Sequence, residues 1–278
     1  MDYSKYIDVN GISTHYHETG QGEPVLLIHG SGPGVTAWAN WRLLIPKLEQ
    51  NFHVYAPDVV GFGYTDRPDG VEYNVDTWTD HLISFIENVI QDRVHIVGNS
   101  MGGALTLHIA NKRPDLVKKM VLMGAVGTSF PITYGLDKVW GYEPSVENMK
   151  NLLNIFSYGD EFATDELAKL RYEASIQPGL QEAFSKMFAE PRQEKVDALA
   201  LTDEQIRKIE HDVLMVHGKD DIVIPYKETS LRFLELMPNS ELHIFSKCGH
   251  WTQIEKKDEF AQLCENFFLR EEKAKQLN

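Results

Sequence analysis

Three residue types that together can cleave a bond next to a carbonyl occur in an informative order: a serine at 100, aspartates at 220 and 221, and a histidine at 250. A serine hydroxyl is a weak nucleophile and needs a base, and the base needs a carboxylate to hold its tautomer and stabilise its charge. Ser100 stands in Gly98-Asn99-Ser100-Met101-Gly102. Before it runs Val94-His95-Ile96-Val97, a short buried-strand pattern. After it runs Ala104 to Ala110, a helical pattern that stops short of Pro114. G-x-S-x-G between a strand and a helix reads as a nucleophile elbow. The tight reversal strains the serine, lifts its hydroxyl clear of the sheet and brings the first helical amides beside it.

The acid falls in Lys219-Asp220-Asp221-Ile222-Val223-Ile224-Pro225. Both aspartates compete. The usual spacing, four residues before the proline, selects Asp221 and leaves Asp220 as a loop or capping residue. The base is His250 in Cys248-Gly249-His250-Trp251, downstream of the acid at a strand end. Of the other histidines, His29 precedes the serine and His217 ends a strand as a reserve base; His95, His108 and His243 fall inside elements. Cys248 reads as packing. The glycine-dense His29-Gly30-Ser31-Gly32-Pro33-Gly34 lacks both G-K-[ST] and G-x-G-x-x-G, so a phosphate cradle is disfavoured and an amide donor to an oxyanion is preferred.

These residues need a scaffold. With 278 residues, 42% of them hydrophobic, the chain can bury one large core with an inserted subdomain. It has no apolar run near the ~18 residues of a membrane span. Met1 to Lys5 carries no signal pattern, and two cysteines form neither a disulfide framework nor a metal spacing, so a cytoplasmic protein is expected. A net charge of −14 argues against nucleic acid and anionic membranes, and an anionic substrate would need a local cation.

Asn10-Gly11 between alternating runs predicts a hairpin. Strands are expected at 24–29, 52–57, 94–97, 119–124, 212–218 and 241–245. Helices are expected at 38–50, 75–91 (with Asp76 as N-cap), 225–237 and 256–269, followed by a charged, fraying tail from Arg270. Residues 130–209 read as helical throughout. This pattern predicts an α/β fold: a mostly parallel, eight-stranded sheet covered on both faces, with a core of 1–129 and 210–278 and a helical cap of 130–209 over the strands' C-terminal ends.

Over nearly its whole length the sequence resembles the meta-cleavage product hydrolases, carbon–carbon bond hydrolases of bacterial aromatic degradation with the α/β-hydrolase fold. The resemblance rests on His29 to Gly34 with Asn40 shortly after, Gly98 to Gly103, Arg171-Tyr172-Glu173-Ala174 and Cys248 to Trp251. Ala37 to Arg42, Ser129 to Thr133 and Val139 to Tyr142 bring it nearest to the 2-hydroxymuconate semialdehyde hydrolases. The resemblance implies a small anionic dienoate substrate whose carboxylate meets Arg171, with Asn40, Asn99, Trp251 and Gly32 completing substrate binding. It implies an oxyanion hole from the amides of Ser31 and Met101, although Ser31 stands where many relatives have glycine and strains the expected dihedral. It implies no metal and no organic cofactor, since the substrate carries its own electron sink, and a homodimer or larger assembly. The residues fit either an acyl-enzyme or a water-orienting gem-diol route.

The C6 substituent (hydrogen, methyl, longer alkyl or phenyl) would be set by cap residues such as Phe130, Ile132, Trp140 and Phe156. The rival readings are an esterase or lactonase on the same fold, which has no need of Arg171 or Trp251, and a non-catalytic ligand receptor.

Overall fold

Asn10 and Gly11, with φ of 55° and 81°, turn β1 (Ser4–Val9) back on β2 (Ile12–Thr19). Both residues take the left-handed values that a two-residue hairpin requires. The computed structural model describes residues 3–270, so the tail at 271–278 lies outside the described residues. The remaining strands are β3 (Glu23–Ile28), β4 (Phe52–Pro57), β5 (Val94–Asn99), β6 (Val117–Met123), β7 (Asp212–Gly218) and β8 (Ser240–Phe245). Among the described residues, eight strands form one sheet in the order β1-β2-β4-β3-β5-β6-β7-β8, parallel from β4 to β8.

On one side of the sheet lie α1 (Ala37–Trp41), α2 (Ile45–Leu48) and α13 (Lys257–Leu269); α3 (Val75–Phe85) and α4 (Met101–Lys112) lie on the other. The strands alternate between the two cores. Leu26 and Ile28 join the α4 side, while Val25 and Leu27 join the α13 side. A strand buried on both faces needs an unbroken apolar run, which is the pattern of Pro24 to Ile28. Between β6 and β7 come α5 (Tyr134–Trp140), α6 (Val146–Phe156), α7 (Asp165–Ser175), α8 (Leu180–Met187), α9 (Gln193–Leu199) and α10 (Asp203–Arg207), with no strand among them. After β7 come α11 (Ser230–Leu236) and, before α13, α12 (Thr252–Glu255).

Three helices differ from expectation. The 38–50 segment splits into α1 and α2, because Pro46 has no amide to bond the Arg42 carbonyl one turn back. Asn74, not Asp76, caps α3, its side chain accepting from the Thr77 amide at 2.9 Å; Asp76 pairs with Lys112 instead. Beyond α3 the chain widens into a π-helical turn, Ile86–Ile90, and stops at Gln91 with φ 58°. At 225–229 the chain makes one turn, closed by the Thr229 amide on the Pro225 carbonyl at 3.1 Å; Thr229 then leaves helical dihedrals (φ −114°, ψ −85°), so regular helix begins only at Ser230.

The strand order explains where a ligand can sit. The chain leaves β3 toward β4 on one side and returns as β5 on the other. The loops after β3 and β5 diverge and open a crevice at the strands' C-terminal ends.

Candidate active site

Ser100 sits between β5 and α4 with φ 55° and ψ −116°, values that a non-glycine residue holds only under constraint. The constraint is visible. The Ser100 amide donates to the Met123 carbonyl at 3.0 Å, and the Val126 amide donates to the Ser100 carbonyl at 3.1 Å. The flanking glycines are a packing requirement: a Cβ on Gly98 would stand 2.4 Å from Thr106 Oγ1, and one on Gly102 2.3 Å from the Ile28 carbonyl oxygen. The two glycines therefore let α4 lie directly on β5 and β3.

Asp221 follows β7 and is buried. Its Oδ1 accepts from the amides of Val223 (2.8 Å) and Ile224 (2.9 Å), and its Oδ2 faces His250 Nδ1 at 2.7 Å and His217 Nε2 at 3.1 Å. Burial pushes its carboxyl up, but the neighbouring His250 and His217 outweigh this and hold it below the usual carboxylate range. Asp220 is exposed, its Oδ2 3.4 Å from the Cys248 amide, and it does not face the histidine. The His250 loop is pinned from the 130–209 segment. The Phe156 carbonyl accepts from the amides of His250 (2.8 Å) and Trp251 (3.0 Å), and Glu255 accepts from the amides of Gly249 (2.9 Å) and Tyr158 (2.8 Å). Ser100 and His250 line one cavity, and no hydrogen bond joins the two side chains among the described residues. A contact of this kind commonly tightens only around a bound substrate.

Met101 opens α4, so its amide is one of the helix's first donors and lacks an intrahelical acceptor. On the facing loop, Ser31 does not take a positive φ, so the serine brings none of the left-handed strain that its replacement of glycine suggested. Its Oγ accepts from Trp140 Nε1 at 2.9 Å. His29 braces the same loop: Val59 donates its amide to Nε2 at 3.0 Å, so Nδ1 carries the proton and donates to the Gly30 carbonyl at 2.7 Å. Burial pushes the His29 pKa down, consistent with a neutral ring.

The cavity holds about 590 Å³ and is lined by Ser100, His250, Ser31, Gly32, Asn40, Asn99, Arg171 and Trp251 among others. Thr36 caps α1, which leaves Asn40 free of that task; its Nδ2 is buried without a partner. Asn99 donates to the Met123 carbonyl at 3.2 Å, which fixes its amide beside the nucleophile. Arg171, on α7, forms no ion pair among the described residues. Its nearby Glu173 approaches Lys169 instead, and the buried Arg171 Nε has no partner. Its guanidinium lies 5.9 Å from the Trp251 ring and close to Gly32, where an added Cβ would be 4.0 Å from Nη2. Burial pulls the guanidinium pKa down to about 10.

Of the four residues expected to set C6 preference, Phe156 lines the cavity, stacked 4.9 Å from Trp251. Phe130, Ile132 and Trp140 do not; Trp140 stacks on Phe188 at 4.7 Å. Leu136, Val139 and Val223 stand in the wall instead. Val223, two residues past Asp221, was within reach of sequence reasoning. Leu136 and Val139 were not, because nothing in a helical pattern says which face turns inward over a sheet.

The family profile described as alpha/beta hydrolase fold matches residues 23–257. The chain is 52% identical over 271 residues, 98% of each chain, to a 2-hydroxy-6-oxo-2,4-heptadienoate hydrolase of Pseudomonas putida strain F1. It is 48% identical, over 95% of this chain and 93% of the relative, to a 2-hydroxymuconate semialdehyde hydrolase of Pseudomonas sp. strain CF600. The solved structure of a meta-cleavage product hydrolase from Pseudomonas fluorescens IP01, a serine-to-alanine variant complexed with acetates, aligns with TM-score 0.94 and 54% identity over 95% of this chain and 97% of that one. With the elbow, the buried acid–histidine pair and these similarities together, the chain belongs to the α/β hydrolase fold family and, within it, to the meta-cleavage product hydrolases.

Proposed function

We propose that this enzyme hydrolyses the C5–C6 bond of a 2-hydroxy-6-oxohexa-2,4-dienoate, namely 2-hydroxymuconate semialdehyde or a 6-alkyl analogue. The products are 2-hydroxypenta-2,4-dienoate and a carboxylic acid, in bacterial aromatic degradation. The observation that carries this reading is an unpaired arginine, Arg171, in the same cavity as Ser100 and the Asp221–His250 pair. A simple esterase has no use for a half-buried cation, whereas a dienoate needs one for its carboxylate. The names of the relatives support the same substrate class.

The substrate carboxylate sits on Arg171, and Asn40 and Trp251 donate to the C2 oxygen, with Asn99 and Gly32 shaping the same end. The proton of the C2 enol is taken by His250 and delivered to C5, giving a ketone at C2 and returning the ring to its neutral form. His250, held by Asp221, takes the Ser100 proton as Oγ attacks C6, and the amides of Ser31 and Met101 hold the resulting oxyanion; each such donor is worth ~3 kcal/mol in the transition state. The C5–C6 electron pair passes into the C2 ketone, releasing the dienolate, and water frees the acyl group. The C6 substituent lies against Leu136, Val139, Phe156 and Val223. Residues 130–209 serve as a cap that closes the cavity.

We place the enzyme in the cytoplasm, which its free cysteines support; among the described residues no helix is long and apolar enough to cross a membrane. Assembly as a homodimer or larger rests on the family alone.

The ring-fission dienolate is yellow, and its hydrolysis bleaches the colour. Wild-type enzyme is expected to bleach it, and Ser100→Ala to bind it with turnover reduced at least ~10³-fold. Full activity in that variant would refute the nucleophilic scheme, and wild-type enzyme that leaves the colour unchanged would refute the substrate.

A further inference from the structure

The chain has 41 acidic and 27 basic side chains, yet the cavity wall carries three cations and no carboxylate: Arg171, Arg42 and Lys257. The substrate reading uses only Arg171. Arg42 follows α1, and Lys257 opens α13. Neither forms an ion pair among the described residues, and nearby acids are engaged elsewhere: Asp258 with Lys47 at 3.3 Å, Glu255 with the Gly249 and Tyr158 amides. Arg42 spends one donor on the Ala39 carbonyl at 2.6 Å and keeps the rest of its fork.

Lys257 is exposed and the outermost of the three, and of the two half-buried arginines Arg171 has the more enclosed head, its Nε sealed from solvent. Arg42 is also close enough to Arg171 to push its pKa further down, and no carboxylate lines the cavity to offset that repulsion. Such an arrangement is destabilising on its own and is relieved when an anion enters.

We propose that Arg42 and Lys257 form a cationic mouth that draws the substrate's carboxylate inward against the protein's negative field and passes it to Arg171. The proposal rests on the dienoate reading above. Its physical basis is local. A net charge of −14 repels an approaching anion at long range, but salt screens charges beyond roughly 8 Å at physiological ionic strength, so cations at the entrance dominate the last part of the approach. Leu170, exposed beside Arg171 on α7, and Trp38, at the foot of α1, flank the same opening with apolar surface that suits a diene.

The test pairs turnover with binding. For the double variant Arg42→Gln/Lys257→Gln, kcat/KM on the dienolate is expected to fall about tenfold at low ionic strength, narrowing to about twofold in half-molar salt, with the loss in kcat/KM and little in kcat. Arg42→Lys should recover most of it. Independently of turnover, stopped-flow quenching of the cavity tryptophans should show hexa-2,4-dienoate associating about tenfold more slowly with the double variant, and methyl hexa-2,4-dienoate at an unchanged rate. Equal losses for acid and ester, a loss indifferent to salt, or no loss at all would overturn the proposal. Wild-type enzyme that binds hexa-2,4-dienoate in this salt-dependent way but never bleaches the dienolate would refute the substrate and leave the mouth standing.

Discussion

His217 and His250 share one oxygen of Asp221: Nε2 of His217 lies 3.1 Å from Oδ2, and Nδ1 of His250 reaches the same atom at 2.7 Å. His217 Nε2 also lies 3.0 Å from the Ile224 carbonyl, which can only accept, so Nε2 bears the proton and donates to both. Nδ1 of His217 is held by the Ser230 hydroxyl at 2.7 Å. The residue that looked like a reserve base is therefore a fixed donor that aims the carboxylate. Two backbone amides occupy Oδ1, and Asp221 has one orientation available.

Asp221→Asn should lose turnover and also some stability, because its NH₂ would meet the Nε2–H of His217 as well as His250. The amide's NH₂ would point at His250 Nδ1 and force the ring into the tautomer with its proton on Nε2, where the base lone pair is needed. A fall in kcat of about 10³- to 10⁴-fold is expected, with substrate binding retained. A loss under tenfold would show that another group serves His250.

Gly124, just after β6, lies under this pair. A Cβ there would stand 3.2 Å from His250 Cε1 and Nδ1 and 3.4 Å from Asp221 Oδ2, and φ is 50°. Gly124→Ala should destabilise by about 1 kcal/mol through the left-handed backbone and cut kcat at least ~10-fold by displacing the ring. Thermal melting and dienolate bleaching measured together separate the two effects.

The parts of this site that were readable in sequence are those where local chain chemistry leaves few options. Glycines at 98 and 102 flag a helix laid on a strand, and Asp221 stands four residues before Pro225. Long-range packing was not readable. Nothing near Asn40 announces a buried, unpartnered amide, and the expectation that Trp140 lines the pocket failed because its indole turns to Ser31 and Phe188 instead. Helix ends were missed for a similar reason: the break at Pro46 and the cap at Asn74 depend on single hydrogen bonds that hydrophobic periodicity does not encode.

Arg171 should trade stability for binding. Replacing it with methionine removes two charge-assisted hydrogen bonds to the substrate carboxylate, about 3 kcal/mol, so KM should rise roughly a hundredfold. The same change relieves an unpaired, half-buried cation, so the melting temperature should rise. An unchanged KM would remove Arg171 from the carboxylate site, and earlier melting would show that its packing outweighs the cost of the unpaired charge.

Acid should weaken the fold well above the carboxylate range. Burial drives the His81 pKa down to about 4, with Nδ1 unpartnered and Nε2 2.9 Å from the Thr14 hydroxyl. In the unfolded chain the same ring titrates near ~6.5. Between these values the unfolded chain binds a proton that the folded one does not. Stability is therefore full above about pH 6.5 and falls toward pH 4, by roughly 3 kcal/mol for this residue alone. His81→Gln should flatten that slope in urea melts taken across the range, and an unchanged slope would mean that the ring is charged in the fold.

Ser31 lets the amide and the hydroxyl be tested apart. Its amide has no acceptor among the described residues, whereas its Oγ is taken by Trp140 Nε1 at 2.9 Å, linking the loop after β3 to α5. Ser31→Ala keeps the amide and strands a buried indole N–H, a loss of about 1 to 3 kcal/mol. If the hydroxyl only anchors, the melting temperature should drop while kcat stays within about threefold of wild type, because the oxyanion donor is the backbone. A kcat loss of a hundredfold or more with unchanged stability would instead give the hydroxyl itself a part in the chemistry.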